Sequence, residues 1–556
     1  MKRSKLSARL APVLAIAVVT TASASCAFTF GNPIVPGSKT GNAANSAGGE
    51  GGSGGIGGIG SGGSPSGGDG TGGGTGGGTG GGGGGAGGGD PPSYGPPSAP
   101  LRRLTQEEVN HTLRDLFSGI ALPAVVLNDG QGGGFDGDVE HQTPSDLVVD
   151  QMRSASLDIA AAAVARKDLL LPRQPSADSD DQRAVGHELI AAFAPRALRR
   201  PLEQRELDAY NGLFDAQFSA NLDAASPLDV ALESSLSALL QSPSFLYRVE
   251  QGVDDGAGAA EVALSPYEMA SRLSYLLWGT MPDQALFDAA ANNALASDDD
   301  LEAQARRMLA DPRAQDAVLS FHRQWLDLDK VLAQNKDATT YPAWSPALAS
   351  SIRREADEMI KEVVFGSGDG TLRSLLTTTT TRVDANLAAL YGIPAPANDW
   401  DLVQLPGSQR AGFLTQGAFL ASRAHAVYPS PVLRGVFVLD RLLCEAPPPP
   451  GGTVNTNPPA PADPSTTPTT NRQRYAEHTA NPSCQGCHAM IDGIGMGFES
   501  YDAIGRFRTT DNGYPVDATG TLTPTGDGGD FDGATALADL LANAPAVQDC
   551  AARHWL

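Results

Sequence analysis

The amino-acid sequence predicts a mainly α-helical, multidomain protein in which helical bundles follow a disordered glycine-rich tether. Three observations predict it. Apolar residues recur at helical spacing behind capping residues along most of the chain after Leu101. Strand-like alternation is scarce. Glycine supplies 66 of the 556 residues and is concentrated between Gly41 and Gly89, a stretch of almost nothing but Gly, Ser and Thr. Such a stretch cannot bury apolar surface. Gly does not recur strictly every third residue with Pro between, which excludes collagen. The 458 residues beyond the first 98 suffice for about three packed domains.

The N-terminus reads as an export signal over residues 1–26. Lys2, Arg3, Lys5 and Arg9 precede an apolar run of 11 residues, Leu10 to Thr20, too short to span a bilayer. Small residues Ala22 to Ser25 then lead to Cys26, as in a bacterial lipobox, although Ser23 stands where Leu is usual. The expectation is lipidation of Cys26; plain cleavage nearby is the alternative. Either way the protein leaves the cytosol. Residues 27–98 form the tether. Random-coil scaling gives its roughly 70 residues a root-mean-square reach of about 40–50 Å.

The folded chain is expected in five segments. In the first, 99–170, Thr105 and Glu108 form a capping box ahead of Val109, Leu113, Leu116 and Phe117 on one face. A Gly-rich loop, Asp129 to Asp138, precedes a helix around Leu147 to Arg166. The second, 181–250, holds Pro195 to Pro201 and closes on Ser242-Pro-Ser-Phe-Leu-Tyr-Arg248. The third, 262–392, opens with Ser265 as N-cap and Pro266 at the first helical position. It continues as a bundle through Leu301–Leu309, Ala317–Leu328 and Ser351–Phe365. There His322 beside Trp325 reads as an interfacial histidine against a core tryptophan rather than a ligand. The fourth, 407–510, contains Arg434 to Cys444, a Pro/Thr-rich loop and a CxxCH motif; the fifth, 511–556, is a short tail.

Charge and cysteines bound the function. A net charge of −24 disfavours phosphate backbones and anionic lipid, so no nucleic-acid partner is expected. Of five cysteines, Cys26 is the lipid candidate, and Cys484 and Cys487 belong to the motif. Cys444 and Cys550 are left over, and in an exported chain they are expected to form a disulfide. Two unpaired buried thiols are the alternative.

Cys484-Gln-Gly-Cys487-His488 carries the strongest chemical signal. Two intervening residues let both sulfurs reach the vinyl positions of one haem, and the adjacent His can serve as axial iron ligand. Export supplies the compartment in which haem is attached covalently. One haem c is therefore expected, held by Cys484 and Cys487, with His488 on the iron. The alternatives are a Cys₂His₂ zinc site that adds His478, and a disulfide within the motif. Met496, His478 and His425 are candidates for the sixth iron position, and an open position is a further option. Eight extended residues span roughly 26 Å, so reach does not exclude Met496, and Gly493 to Gly497 could let the backbone approach a haem. Asp492, Glu499, Asp502, Arg506 and Arg508 could form a network around haem propionates or a plain ion-pair network. Asp527, Asp530 and Asp532 lack the spacing of a calcium loop and read as a turn. No nucleophile elbow, phosphate loop or His-Glu-x-x-His is found.

Taken together, these residues resemble the planctomycete-type surface-domain proteins, exported chains of successive domains of unknown function with a cytochrome-like CxxCH near the end. Arg102-Arg-Leu-Thr with Arg114-Asp-Leu116 is similar to the opening domain. Arg199-Arg-Pro-Leu with Ser242 to Arg248 is similar to the second, and Ala270 to Trp278 with Pro282-Asp283 to the third. Gly412-Phe-Leu, Ser430 to Gly435 and the run from Cys484 to Arg506 are similar to the fourth. Gly493 stands where the family usually has Pro, and the last domain usually continues beyond Leu556. The resemblance implies haem c in a cytochrome-c-like module and a place in the cell envelope, at the outer membrane or periplasm. It implies no known reaction. The expected function is a lipid-anchored c-type haem protein in electron transfer, as an oxidoreductase or its electron-transfer subunit. Its redox partner is unidentified, and its membrane contact is through the lipid alone. The alternative is a surface-binding or scaffold protein in which haem or metal is structural.

Overall fold

Thr105 and Glu108 begin the folded chain. The Thr105 hydroxyl accepts from the Glu108 amide at 3.1 Å, and the Glu108 carboxylate accepts from the Thr105 amide at 2.9 Å. This reciprocal pairing satisfies two donors that a helix start leaves orphaned. Helix α1 (Gln106–Leu116) follows and buries Val109, Leu113 and Leu116. The computed structural model describes residues 101–127, 134–139, 142, 145–253, 263–448, 469–479, 482–523 and 528–555. The export segment, Cys26, the tether and Asp527 lie outside the described residues.

Ser145 caps α2 (Asp146–Val164). Three longer helices follow, α3 (Ser179–Leu198), α4 (Gln204–Ala220) and α5 (Pro227–Gln241), and a single helical turn, Pro243–Leu246, completes the first half. Arg199 ends α3 with a left-handed φ of 59°. Its guanidinium donates to the Ser244, Phe245 and Tyr247 carbonyls at 2.7, 3.0 and 2.9 Å, tying the turn after α5 to the end of α3. Strand β1 (Arg102–Arg103) pairs antiparallel with β2 (Tyr247–Arg248), Arg102 opposite Arg248. One core, built on Phe117, Ile159, Phe193, Phe214 and Leu239, therefore serves both the 99–170 and the 181–250 segments.

Ser265 and Glu268 form a second capping box at α6 (Pro266–Trp278), which Gly279 ends in the left-handed region. With α7 (Gln284–Ala291) and α8 (Asp298–Leu309) it encloses a smaller core around Trp278, Leu286 and Met308. Helix α9 (Arg313–Trp325) starts a third and larger core. The helix expected through Leu328 stops at Trp325 because Asp327 turns left-handed at φ 49°.

The third core gathers α10 (Pro346–Val364), α11 (Leu372–Thr377), α12 (Ala385–Tyr391), α13 (Gly417–Ser422) and α14 (Pro431–Phe437). A π-helical turn, Val438–Leu442, continues α14. Then come α15 (Asn471–Thr479), α16 (Pro482–Gly495), α17 (Ala534–Asn543) and α18 (Pro545–Trp555). The 262–392 segment thus contributes to all three cores, with Tyr275 and Met281 in the first, and it shares the third with 407–510 and 511–556.

The fold is mainly helical. The remaining strands form short antiparallel pairs: β3 (Thr380–Val383) with β4 (Asp401–Gln404), β5 (Thr510–Asp511) with β6 (Tyr514–Pro515), and β7 (Thr519–Thr521) with β8 (Asp530–Asp532). The turn expected at Asp530 and Asp532 is instead a strand edge, where the Thr521 hydroxyl donates to Asp530 at 2.7 Å. Among the described residues no helix is long and apolar enough to cross a membrane.

Candidate functional site

Helix α16 carries the CxxCH motif. Pro482 starts it at a position that needs no N–H. Helical geometry then sets Cys484 and Cys487 one turn apart on one side, with His488 next to Cys487. Cys484 is half-buried and Cys487 exposed, and neither is in a disulfide. Gln485, Gly486 and Ala489 are exposed too, and a Cβ on Gly486 would meet nothing within 4 Å. The motif therefore lies on an open face of the helix.

The opposite face is clamped into the third core. Ile491 and Ile494 are buried there. Gly435 of α14 lies against the Ile491 carbonyl and Gly495 against the Pro431 carbonyl, so closely that any Cβ would overlap backbone. Gly493 and Gly497 likewise take up the Thr521 carbonyl and the Phe531 ring. These glycines serve close packing of protein on protein, not the approach to a haem that their spacing suggested.

One turn beyond the motif, Asp492 Oδ1 lies 3.1 Å from His488 Nδ1. The pairing fixes the ring and, with Nδ1 donating, directs the other nitrogen away from Asp492, which is how ligating histidines are oriented. Asp492 is thereby taken from the acid–arginine cluster. The rest of that cluster braces the chain. Asp502 pairs with Arg506 at 3.0 Å, and Arg508 bridges Glu499 and Asp511 at 3.2 and 2.6 Å. Glu499 is fully buried and also accepts from Asn471 at 2.8 Å; burial raises its carboxyl above the ordinary value. Arg434 is buried among the Phe498, Tyr501, Leu420 and Asp502 carbonyls, all within 3.2 Å.

The sixth-ligand candidates separate. Met496 is buried on the 3₁₀ turn that continues α16, so the extended-chain reach does not apply. Eight helical residues advance only about 12 Å, on the same element as His488 rather than across from it. His425 is half-buried in the loop before α14, its ring 5.0 Å from Tyr428 and its Nε2 3.5 Å from the Tyr475 hydroxyl. Burial, helped by Lys336 and Arg474, keeps its pKa low and its imidazole neutral. His478 lies on α15, with its side chain outside the described residues.

Cys444 and Cys550 are joined by a disulfide, Cα–Cα 5.5 Å, that pins α18 to the end of the π-helical turn. His554 Nε2 stands 3.7 Å from Cys444 Sγ. The three side chains are close enough to share a metal ion, but the disulfide occupies both sulfurs. His322 is half-buried, with Nδ1 donating to the Val318 carbonyl at 2.8 Å, and desolvation lowers its pKa to about 4. Trp325 donates to the Arg441 carbonyl at 2.7 Å. Both are structural.

Four family models match the chain in order. They are PSD3, protein of unknown function (DUF1587), over residues 102–165, and PSD5 (DUF1595) over 186–250. PSD4 (DUF1592) follows over 264–393 and PSCyt3 (DUF1588) over 410–511, the last two also described as proteins of unknown function. Over these four segments the chain is similar to successive families of unknown function. The segment that matches PSCyt3 contains the whole of α16. No curated protein and no solved structure matches the chain.

Sequence reasoning missed a cavity of about 430 Å³ lined by α1, residues 135–139, α6, α9 and the last residues of α18. Its only advance signals were the Gly-Phe-Asp core of the 129–138 loop and the terminal His554-Trp555.

Proposed function

We propose that this chain is an exported c-type haem protein that passes single electrons at the cell envelope, anchored by a lipid on Cys26. The observation that carries the reading is the CxxCH on one exposed helical turn, with Asp492 orienting His488. The donor set fits the group. Two thiols one turn apart can each form a thioether, and the open face of α16 leaves room for a porphyrin beside them. Bound haem would supply a one-electron couple. The protein's part would be to hold the macrocycle through Cys484 and Cys487, and to present His488, oriented by Asp492, to the iron. The label PSCyt3 on this segment supports the same reading.

The full chain matured in a haem-attaching host, then denatured and extracted with acid acetone, is expected to retain a pyridine-haemochrome spectrum. Cys484→Ser together with Cys487→Ser removes it completely. Haem-free wild-type protein with bound zinc would overturn the reading in favour of the Cys₂His₂ site.

A further inference from the structure

We propose that the cavity between the three cores binds a neutral oligosaccharide. It lies apart from the CxxCH site in its residues, and its size falls within the usual range for small-molecule pockets, about 300–1,000 Å³. Domain junctions are where such pockets concentrate.

Half-buried aromatic rings form one wall. Phe321 of α9 meets Trp555 of α18 edge-on at 4.3 Å and stacks with Phe135 at 6.1 Å, while Phe135 also stacks on His554 at 5.5 Å. The wall is braced from behind, since Gln324 accepts the Asp136 amide at 2.8 Å. Rigid rings of this kind suit the apolar face of a sugar ring.

The remaining lining mixes apolar residues such as Leu276 and Trp278 with charged groups that balance in sign. Glu108 is engaged in the α1 cap, and Arg103 donates to the Leu104 carbonyl. Across the whole lining, Arg102, Arg103, Arg248 and Arg553 stand against Glu107, Glu108, Asp138 and Asp316. The chain as a whole carries −24, so this balance is a local departure that removes the pull on cations without creating one on anions. Glu107 links α1 to α9 through the Ser320 hydroxyl at 2.6 Å and keeps acceptor capacity. Arg248 Nε and His111 Nδ1 are buried without a hydrogen-bond partner among the described residues. Closely spaced donors and acceptors, rings alongside and no net charge match the chemistry of an uncharged polyol ring.

Titration calorimetry on the full chain tests this with cellotetraose, mannotetraose, xylotetraose and maltotetraose, and with tetragalacturonate as acidic counterpart, at low and high salt. At least one neutral tetrasaccharide is expected to bind with an affinity that salt does not change. Trp555→Ala weakens it roughly tenfold. Glu107→Gln, at an exposed position that leaves folding intact, weakens it severalfold. Absence of millimolar binding by every neutral member overturns the proposal. So does preference for the acidic chain with salt-weakened affinity, or unchanged binding by both variants.

Discussion

The CxxCH helix and the junction cavity are built in opposite ways. Cys484, Cys487 and His488 lie within five consecutive positions of one helix, and the contact that orients His488 comes from the next turn. The cavity draws Arg102, Phe135, Phe321 and Trp555 from four separate stretches of the chain. The first site needs only a helix clamped on its far side. The second exists only while several elements are docked, and α18 is held there through Cys550. A local site should survive damage that erases a dispersed one.

The largest effect is expected from breaking the disulfide. Cys444 and Cys550 are 106 positions apart, and a loop of that length contributes about 4–5 kcal/mol by chain entropy. Cys444→Ser with Cys550→Ser is expected to lower denaturant stability by that order. It should also abolish oligosaccharide binding as α18 loosens, while covalent haem content per folded molecule stays unchanged. Equal loss of both properties would break the contrast.

A middle-sized effect is expected at His322, behind the aromatic wall. Burial lowers its pKa to about 4, below the ordinary value near 6.5. Between those pH values the unfolded chain binds a proton that the native state does not. The stability this residue contributes is therefore present above pH about 6.5 and lost as pH falls toward 4, about 3 kcal/mol in all. His322→Phe should flatten that acid limb in denaturation curves measured across the window, with little change at neutral pH.

The smallest effect is expected at Asp492. In the proposed haem protein, Asp492→Asn keeps an acceptor beside His488 Nδ1 but removes its charge, so the imidazole would donate less strongly to iron. The haem midpoint potential should rise while thioether attachment and stability are unchanged; a potential equal to wild type would deny Asp492 its orienting role.

Legibility followed the same division. The capping boxes at Thr105 and Ser265, the proline at the start of α6 and the helical apolar spacing were readable because each depends on residues three or four positions apart. Asp530 and Asp532 were read as a turn because strand pairing with residues 519–521 leaves no mark in so short a segment. Gly493 to Gly497 were read as a haem approach because a glycine's tolerance for close contact is visible in sequence, whereas the identity of the neighbour is not.

By itself the sequence determined the helical class, the order of the segments and the placing of two thiols and an imidazole on one turn, since these follow from spacing along a single chain. Tertiary structure alone decided that three segments share the first core, that α14 and α16 meet through Gly435 and Gly495, and that Arg102 and Trp555 line one cavity. Those outcomes depend on which surfaces exclude water together, and no local pattern encodes a neighbour hundreds of residues away.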